Sequence, residues 1–476
     1  MVQSGKRLAE FKIWHKPNME TLQRTANRGS ISTGAYDIDN SLKVESDNRE
    51  YLRWTNFSTY ASSARKKKFS MSLWCKRTEL GSQQIIWSTQ SNGYLSFEAD
   101  DEIKWYQTYS GVQKQLNTNR VFRDTASWYN IIVAVDSTQA TEANRMRLYV
   151  NGVEETSFVT ATYPSQNDEA QNIYEQHLVL GEWGGGATGF NGYIADYLFV
   201  SEVQLVPSDV GEVDEDTGIW KPKAYSGTIS SPSHFLEFQD GSDLGTATSG
   251  LDADTMNNLT SADQATDTPT NNFCTMNPLI HMVSTDVASS SVIDGGTTIS
   301  STGANYAQRY GTIGLNIASG GKWYWEFTAN TSSNGNTTEC LTGLIFENRA
   351  NENTASPAVY SDDFAFYGGG FGHGQGYAAN VVNGFLLDLD NNTLKWYRDD
   401  SLHLTMPDGT DAMPTTGLVF PYGAPLGSSF KLFMNFGGYT ANTVSSGNTD
   451  PNGYGNFEFD TKSGYALCTK NLAEFG

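Results

Sequence analysis

Residues 127–136 read SWYNIIVAVD and residues 147–152 read RLYVNG. The run Ile131–Val135 is solidly apolar, as a strand covered on both faces must be. From Arg145 to Val150 apolar and polar residues alternate, so Met146, Leu148 and Val150 point inward. That strand ends at Asn151-Gly152. Asn-Gly is the strongest two-residue hairpin signal, because both residues tolerate positive φ. Working outward, FSMSLWC at 69–75 puts Phe69, Met71, Leu73 and Cys75 on one strand face. Tyr94–Phe97 and Ile103–Tyr106 flank an acidic tip and read as a hairpin; Gly192–Val200 and Phe235–Phe238 add strands. Many short strands with turn signals between them predict an antiparallel sandwich over residues 31–245.

Residues 246–273 are rich in Thr, Asp, Ser, Asn and Ala and read as a linker or extended strap. Residues 274–476 read as a second β domain. Trp323, Trp325 and Phe327 share one strand face, as do Phe385, Leu387 and Leu389, and Phe430, Leu432, Met434 and Phe436. Asn391-Asn392 turns the chain between two of these strands. Residues 1–30 are basic, lack strand alternation and hold a short helical stretch around Met19 to Ala26. The predicted fold class is all-β: two antiparallel β-sandwich, jelly-roll-like domains preceded by a short N-terminal arm. The arm is the expected attachment segment, with Lys6, Arg7, Lys12, Trp14 and Lys16 as its contact residues.

Composition agrees with sheets joined by tight turns. Of 476 residues, 38% are hydrophobic and 12% aromatic, with 46 glycines. No apolar run is long enough to span a bilayer, and the start MVQSGKRLAEF lacks the apolar core of a signal peptide. Synthesis in a cytoplasm, with no membrane insertion, is the expectation. Net charge is −22 but uneven: residues 1–80 hold 15 Lys+Arg against 8 Asp+Glu, whereas the remainder holds 16 against 45. The acidic bulk should repel nucleic acid. The basic run RKKK at 65–68 could dock on an acidic partner or simply solvate the lead-in to a strand. Four scattered cysteines without a CxxC pair argue against zinc, and Cys75 reads as a buried free thiol.

Three stretches of the first domain resemble the laminin-G-like, concanavalin-A-like family: FSMSLWCKR at 69–77, SWYNIIVAVD with RLYVNG, and FNGYIADYLFV at 190–200. The second domain resembles the SPRY family through GKWYWEF at 321–327, TGLI at 342–345, GFLLDLDNNTLKWY at 384–397 and MNFG at 434–437. It departs from that pattern at Asp399-Asp400, where the family often has Asn-Gly. The combination, with RDTASWY at 123–129, DTPTNNFCTMNP at 267–278 and YALCTKNL at 465–472, resembles phage proteins of a tail-fibre-like or structural kind. The resemblance implies a bacteriophage virion appendage, on tail or head, acting as an adhesin for a host-surface glycan or protein. The alternative it implies is a capsid- or tail-associated decoration protein that binds neighbouring virion subunits. Either would be assembled in the host cytoplasm into the virion. Fibre-like virion proteins also imply a homo-oligomer, with a trimer favoured, in which the 246–273 strap would lie against neighbours.

Candidate chemistry is sparse. Glu98, Asp100 and Glu102 form the Glu-x-Asp-x-Glu spacing that some glycoside hydrolases of this sandwich fold use. Here the acids fall where the chain must turn, so no catalytic residue and no enzyme activity are expected. The loop WGGGATGFNG at 183–192 reads either as a loop whose glycines let the backbone turn or as a site that offers Trp183 to stack on a sugar and Asn191 to bond its hydroxyls. The glycine-rich loop at 368–376 reads first as a loop on a sandwich edge, and as a ligand site it would offer Tyr367, His373 and Tyr377 as further sugar-facing rings. No cofactor and no metal are expected. Calcium at a loop rim is what the laminin-G-like resemblance would allow, through Asp136, Asp240 or the acids at 212–216.

Overall fold

The computed structural model describes residues 36–476 except 56, 90–91, 172, 175–177, 184–187, 216, 280–289, 302–307, 331–339, 347–364, 368–377, 407–412 and 426–429. The arm at 1–30, with Lys6, Arg7, Lys12, Trp14 and Lys16, therefore lies outside the described residues. The chain is nearly all strand, arranged as two jelly-roll-like sandwiches of antiparallel sheets.

In the first sandwich, a nine-stranded sheet is built on Lys68–Arg77, paired on one side with Tyr129–Asp136 and on the other with Gly192–Ser201. An eight-stranded sheet faces it. Its centre is the meander Gln84–Thr89, Gly93–Phe97, Glu102–Tyr109 and Val112–Val121. The alternation in FSMSLWC sends Phe69, Met71, Leu73 and Cys75 into the gap, where they meet Trp87, Leu95 and Trp105. Burying each such side chain contributes about 1.5–3 kcal/mol. Asn151 and Gly152 take φ of 49° and 77° and close the hairpin between Met146–Val150 and Val153–Glu154. A Cβ at Gly152 would also strike the ring of Trp220.

The second sandwich pairs Lys322–Ala329 with Asn383–Asp388 on one side and Phe430–Asn435 on the other. Trp323, Trp325 and Phe327 face its core, opposite the sheet that contains Cys340–Phe346 and Leu418–Pro425. Asp399 and Asp400, at φ of 48° and 60°, make a two-residue turn between Thr393–Arg398 and Ser401–Met406. The departure from Asn-Gly thus leaves the left-handed turn geometry intact, because Asp tolerates that region.

The stretch 246–273, read from sequence as a linker or strap, contributes strands to the first sandwich. Thr255–Asn257 pairs with Tyr51–Trp54 in one sheet, and Gln264–Ala265 pairs with Ser41–Val44 in the other. It holds itself by backbone pairing, which needs no alternating apolar pattern, so composition concealed it. Residues 267–273 then sink between the two sandwiches, with Asp267, Thr268, Thr270 and Phe273 buried. The packing partner expected from an oligomer is thus supplied within the chain.

The two sandwiches meet across a polar row on the outer face of the nine-stranded sheet. Lys43, Tyr193 and Lys76 stand in register on three adjacent strands. Lys76 Nζ donates to Asp267 at 2.7 Å, to Asn272 Oδ1 at 2.7 Å and to the Phe273 carbonyl at 2.9 Å. Tyr193 donates its hydroxyl to the Gly295 carbonyl at 2.6 Å, and the Gly295 N–H donates to Glu45 at 2.6 Å. Lys43 lies 2.9 Å from Glu50 and 3.0 Å from Asp263. Each buried charge here has a partner, as burial away from water requires.

Candidate functional site

The outer face of the eight-stranded sheet carries the most complete candidate site. On Gly93–Phe97, Leu95 and Phe97 point into the core, so Tyr94 and Ser96 must point out. On Glu102–Tyr109 the same alternation turns Lys104 and Tyr106 outward. Strand register aligns these residues in two rows. One runs Tyr94, Tyr106, Gln115 and Thr162; the next runs Ser96, Lys104, Asn117 and Thr160. Four strands at ordinary spacing make a platform about 14 Å wide.

Tyr94 is its centre. Its ring lies 4.9 Å from that of Tyr106 and 5.2 Å from that of Trp183, which meets it edge-on at 79°. Lys104 Nζ is 5.6 Å from the Tyr94 centroid. Trp183 is half-buried, and its backbone N–H donates to the Thr188 carbonyl at 3.1 Å. Beside it, the buried Glu182 accepts from Arg49 Nε and Nη2 at 3.1 and 3.0 Å. Its other oxygen has no hydrogen-bond partner among the described residues. Burial pushes the Glu182 carboxyl up, against the pull of Arg49.

Such a surface offers the partly exposed rings of Tyr94 and Trp183 above a nearly covered Tyr106, and beside them the partly exposed Lys104, Asn117 and Thr160, with Ser96 buried at the end of that row. That pairing suits a sugar, whose C–H face stacks on rings while its hydroxyls bond to side chains. Trp183 is the one sequence-predicted residue found here. Asn191 is not part of it: its Oδ1 accepts from the Ser46 N–H at 2.7 Å and its Nδ2 donates to Glu79, so both ends of the carboxamide tie loops together. Tyr367 ends the strand Ala365–Tyr367, but its side chain is not described, and His373 and Tyr377 lie outside the described residues. Sequence reasoning missed Tyr94, Tyr106 and Lys104. The signal available was an aromatic residue on the outward phase of each alternating strand.

The acidic trio sits on the turn between Gly93–Phe97 and Glu102–Tyr109. Glu98 accepts from Ser96 Oγ at 2.6 Å and Gln83 Nε2 at 3.0 Å, and Glu102 accepts from Asn117. Its neighbour Asp101, not singled out from sequence, is the buried acid: it pairs with Arg77 at 3.0 Å and Arg123 at 2.8 Å. Of the residues considered for calcium, Asp136 accepts from Thr138 and Gln139 and pairs with Lys68 at 2.8 Å. Burial alone would raise its carboxyl, yet these hydrogen bonds hold it below the usual range. Asp240 caps its own turn through Ser242, and Asp214 bonds Thr217 and Lys221. These carboxylates are already engaged by donors of the chain.

The run at 65–68 is engaged likewise. Arg65 pairs with Glu202 and Lys66 with Glu169 around the single turn Ser63–Lys67, and Lys68 opens the next strand, which favours the strand lead-in. Cys75, Cys274 and Cys468 are buried free thiols; burial pushes Cys274 up to about 11 and Cys468 up to about 12.

Residues 47–209 match the family model of the concanavalin A-like lectin/glucanases superfamily. The first sandwich therefore carries the concanavalin A-like lectin fold. No curated protein matches the chain. Among solved structures, it is similar to a Bacteroides ovatus protein assigned as carbohydrate binding, at 13% identity and a TM-score of 0.28, over 36% of this chain and 45% of that one. The chain thus spans less than half of that protein's length. It is also similar to domain 4 of an extracellular arabinanase from Geobacillus stearothermophilus, solved with arabinotriose (21% identity, TM-score 0.28, 38% of this chain, 79% of that one). A third likeness is to the SPRY domain of human HERC1 (13% identity, TM-score 0.23, 30% of this chain, 91% of that one).

Proposed function

We propose that this chain is a carbohydrate-binding protein without hydrolytic activity, and that the Tyr94–Tyr106–Trp183 platform is its glycan site. The observation that carries the reading is the strand register: it sets Tyr94 opposite Tyr106, with Trp183 edge-on beside them, next to a row of hydrogen-bonding side chains. The engagement of Glu98 and Glu102 by neighbouring side chains supports binding over hydrolysis. The resemblance of residues 31–476 to phage tail-fibre-like proteins supports a finer setting. There the chain is an appendage of a bacteriophage particle, attached through residues 1–30, and the platform adheres to glycans of the host surface. A homo-oligomer would multiply weak sites into useful avidity.

A glycan array probed with the purified chain tests the binding itself. Defined glycans should be retained, and Tyr94→Ala or Trp183→Ala should lose them while melting as the wild type does. Retention unchanged in both variants would overturn the platform. Mass spectrometry of purified phage particles, with and without residues 1–30 in the encoded chain, tests the setting separately.

A further inference from the structure

A second concave surface lies far along the chain from the platform. Where Gln264–Ala265 leaves the first sandwich and residues 437–444 leave the second, the two units part around a cleft of about 400 Å³. That volume falls in the range of small-molecule sites. Ser261, Gln264 and Thr266 form one wall; Tyr439, Asn442 and Thr443 form the other. The seam beside it is stitched by the Thr266 N–H, which donates to the Gly438 carbonyl at 3.0 Å.

The cleft is uncharged. None of its thirteen lining residues is Asp, Glu, Lys, Arg or His, in a chain whose net charge is −22. Lys43, whose Nζ stands 5.4 Å from the Tyr439 ring centroid, is buried and paired with Glu50 and Asp263, and Glu458, in the adjoining hollow shared with Asn442 and Thr443, accepts from Ser445. The polar groups that do line it are unspent. The side chains of Ser261, Asn442 and Thr443 make no hydrogen bond among the described residues. Gln264 gives its amino group to the Phe238 and Gln239 carbonyls at 2.7 and 3.0 Å, which leaves its oxygen as an acceptor.

We propose that this cleft is a second binding site, for one or a few units of a neutral saccharide, held between the two sandwiches. Each competing ligand class fails on a named term. An anion would find no cation and a repelling field. A cation would find no free carboxylate. A purely apolar ligand would strand the hydroxyl and carboxamide groups of Ser261, Asn442 and Thr443. A polyhydroxylated neutral ligand satisfies them and can pack on Tyr439. Because the walls belong to different sandwiches, its binding also clamps the seam. The site does not depend on the platform.

Hydrogen–deuterium exchange of the full chain, with maltotriose, cellotriose or chitotriose at millimolar concentration, tests this. At least one of the three should slow exchange in peptides covering 261–266 and 437–444, and trigalacturonic acid should not. Asn442→Trp, which fills the cleft, should weaken that protection about tenfold, the value of one to two hydrogen bonds. If Asn442→Trp melts early, the paired change Ser261→Val with Asn442→Ala reads the same loss. Tyr94→Ala should leave cleft protection intact, so failure of the platform and failure of the cleft are separable. No protection from any of the three, equal protection from trigalacturonic acid, or protection that survives the cleft variants would overturn the proposal.

Discussion

Lys76 Nζ lies 2.7 Å from a carboxylate oxygen of Asp267, and neither side chain reaches solvent. Lys76 belongs to the central strand of the first sandwich, and Asp267 to the segment that enters the seam. Trp128 Nε1 and the Phe273 N–H also donate to Asp267, both at 3.2 Å. The pair therefore fixes the path of the chain between the domains. Removing one partner, by Lys76→Met or Asp267→Ala, leaves a buried charge uncompensated and should cost about 3–5 kcal/mol. Urea unfolding measures it. Replacing both by apolar residues should recover most of the loss, and a double mutant no better than either single one would contradict the account.

Glu45 sets a pH dependence of unusual sign. Burial pushes its carboxyl up from 4.5 to about 8, against the pull of Lys43 and the Gly295 N–H; Asp294 and Glu50 push it further up. Between those two values the folded chain holds a proton that the unfolded chain has released. Stability contributed by the neutral carboxyl is thus present below 4.5 and is lost as pH rises towards 8. The urea midpoint should fall between pH 5 and 8 in the wild type and fall less in Glu45→Gln. Equal slopes would show that Glu45 is charged in the fold.

At the platform, Tyr94 touches both other rings, whereas Trp183 touches Tyr94 alone among the described ring contacts. Tyr94→Ala should therefore weaken glycan binding more than Trp183→Ala. Losing a stacking ring removes about 0.5–1.5 kcal/mol beyond area, roughly tenfold at the upper end. Surface plasmon resonance against an array-selected glycan gives the ratio, and a reversed order would displace Tyr94 from the centre.

No hydrolysis is expected. Incubation of the wild-type chain with the glycans it binds should release no reducing ends, and Glu98→Gln and Glu102→Gln should bind as the wild type does. Reducing-end release that disappears in Glu98→Gln would make the acidic turn an active site.

Much of the architecture was legible because strand burial writes a period-two pattern. Phe69 to Cys75 and Trp323 to Phe327 read correctly as core faces, and Asn151-Gly152 named its own hairpin. What stayed hidden is held by backbone pairing or by long-range partners. Gln264–Ala265 carries no pattern, and its partner Ser41–Val44 lies more than two hundred residues earlier. The platform was hidden for a related reason. Tyr94 and Tyr106 share one hairpin, but only its register sets them opposite each other, and Trp183 joins them from a loop far along the chain. Conversely, Asn191 looked like a ligand because nothing local reveals that Ser46 and Glu79 take both ends of its carboxamide.

The pairing of Ser41–Val44 with Gln264–Ala265 also orders events on the ribosome. Ser41–Val44 and Tyr51–Trp54 lack their edge-strand neighbours until residues 255–265 have emerged, so the earliest strands wait with an open flank through most of their own domain's synthesis. Non-local pairing of this kind slows folding and exposes strand edges to wrong partners. A gene fragment cut at residue 245 would make that waiting state permanent. Such a fragment should precipitate where one ending at residue 273 stays dispersed, and expression of the two side by side would show it.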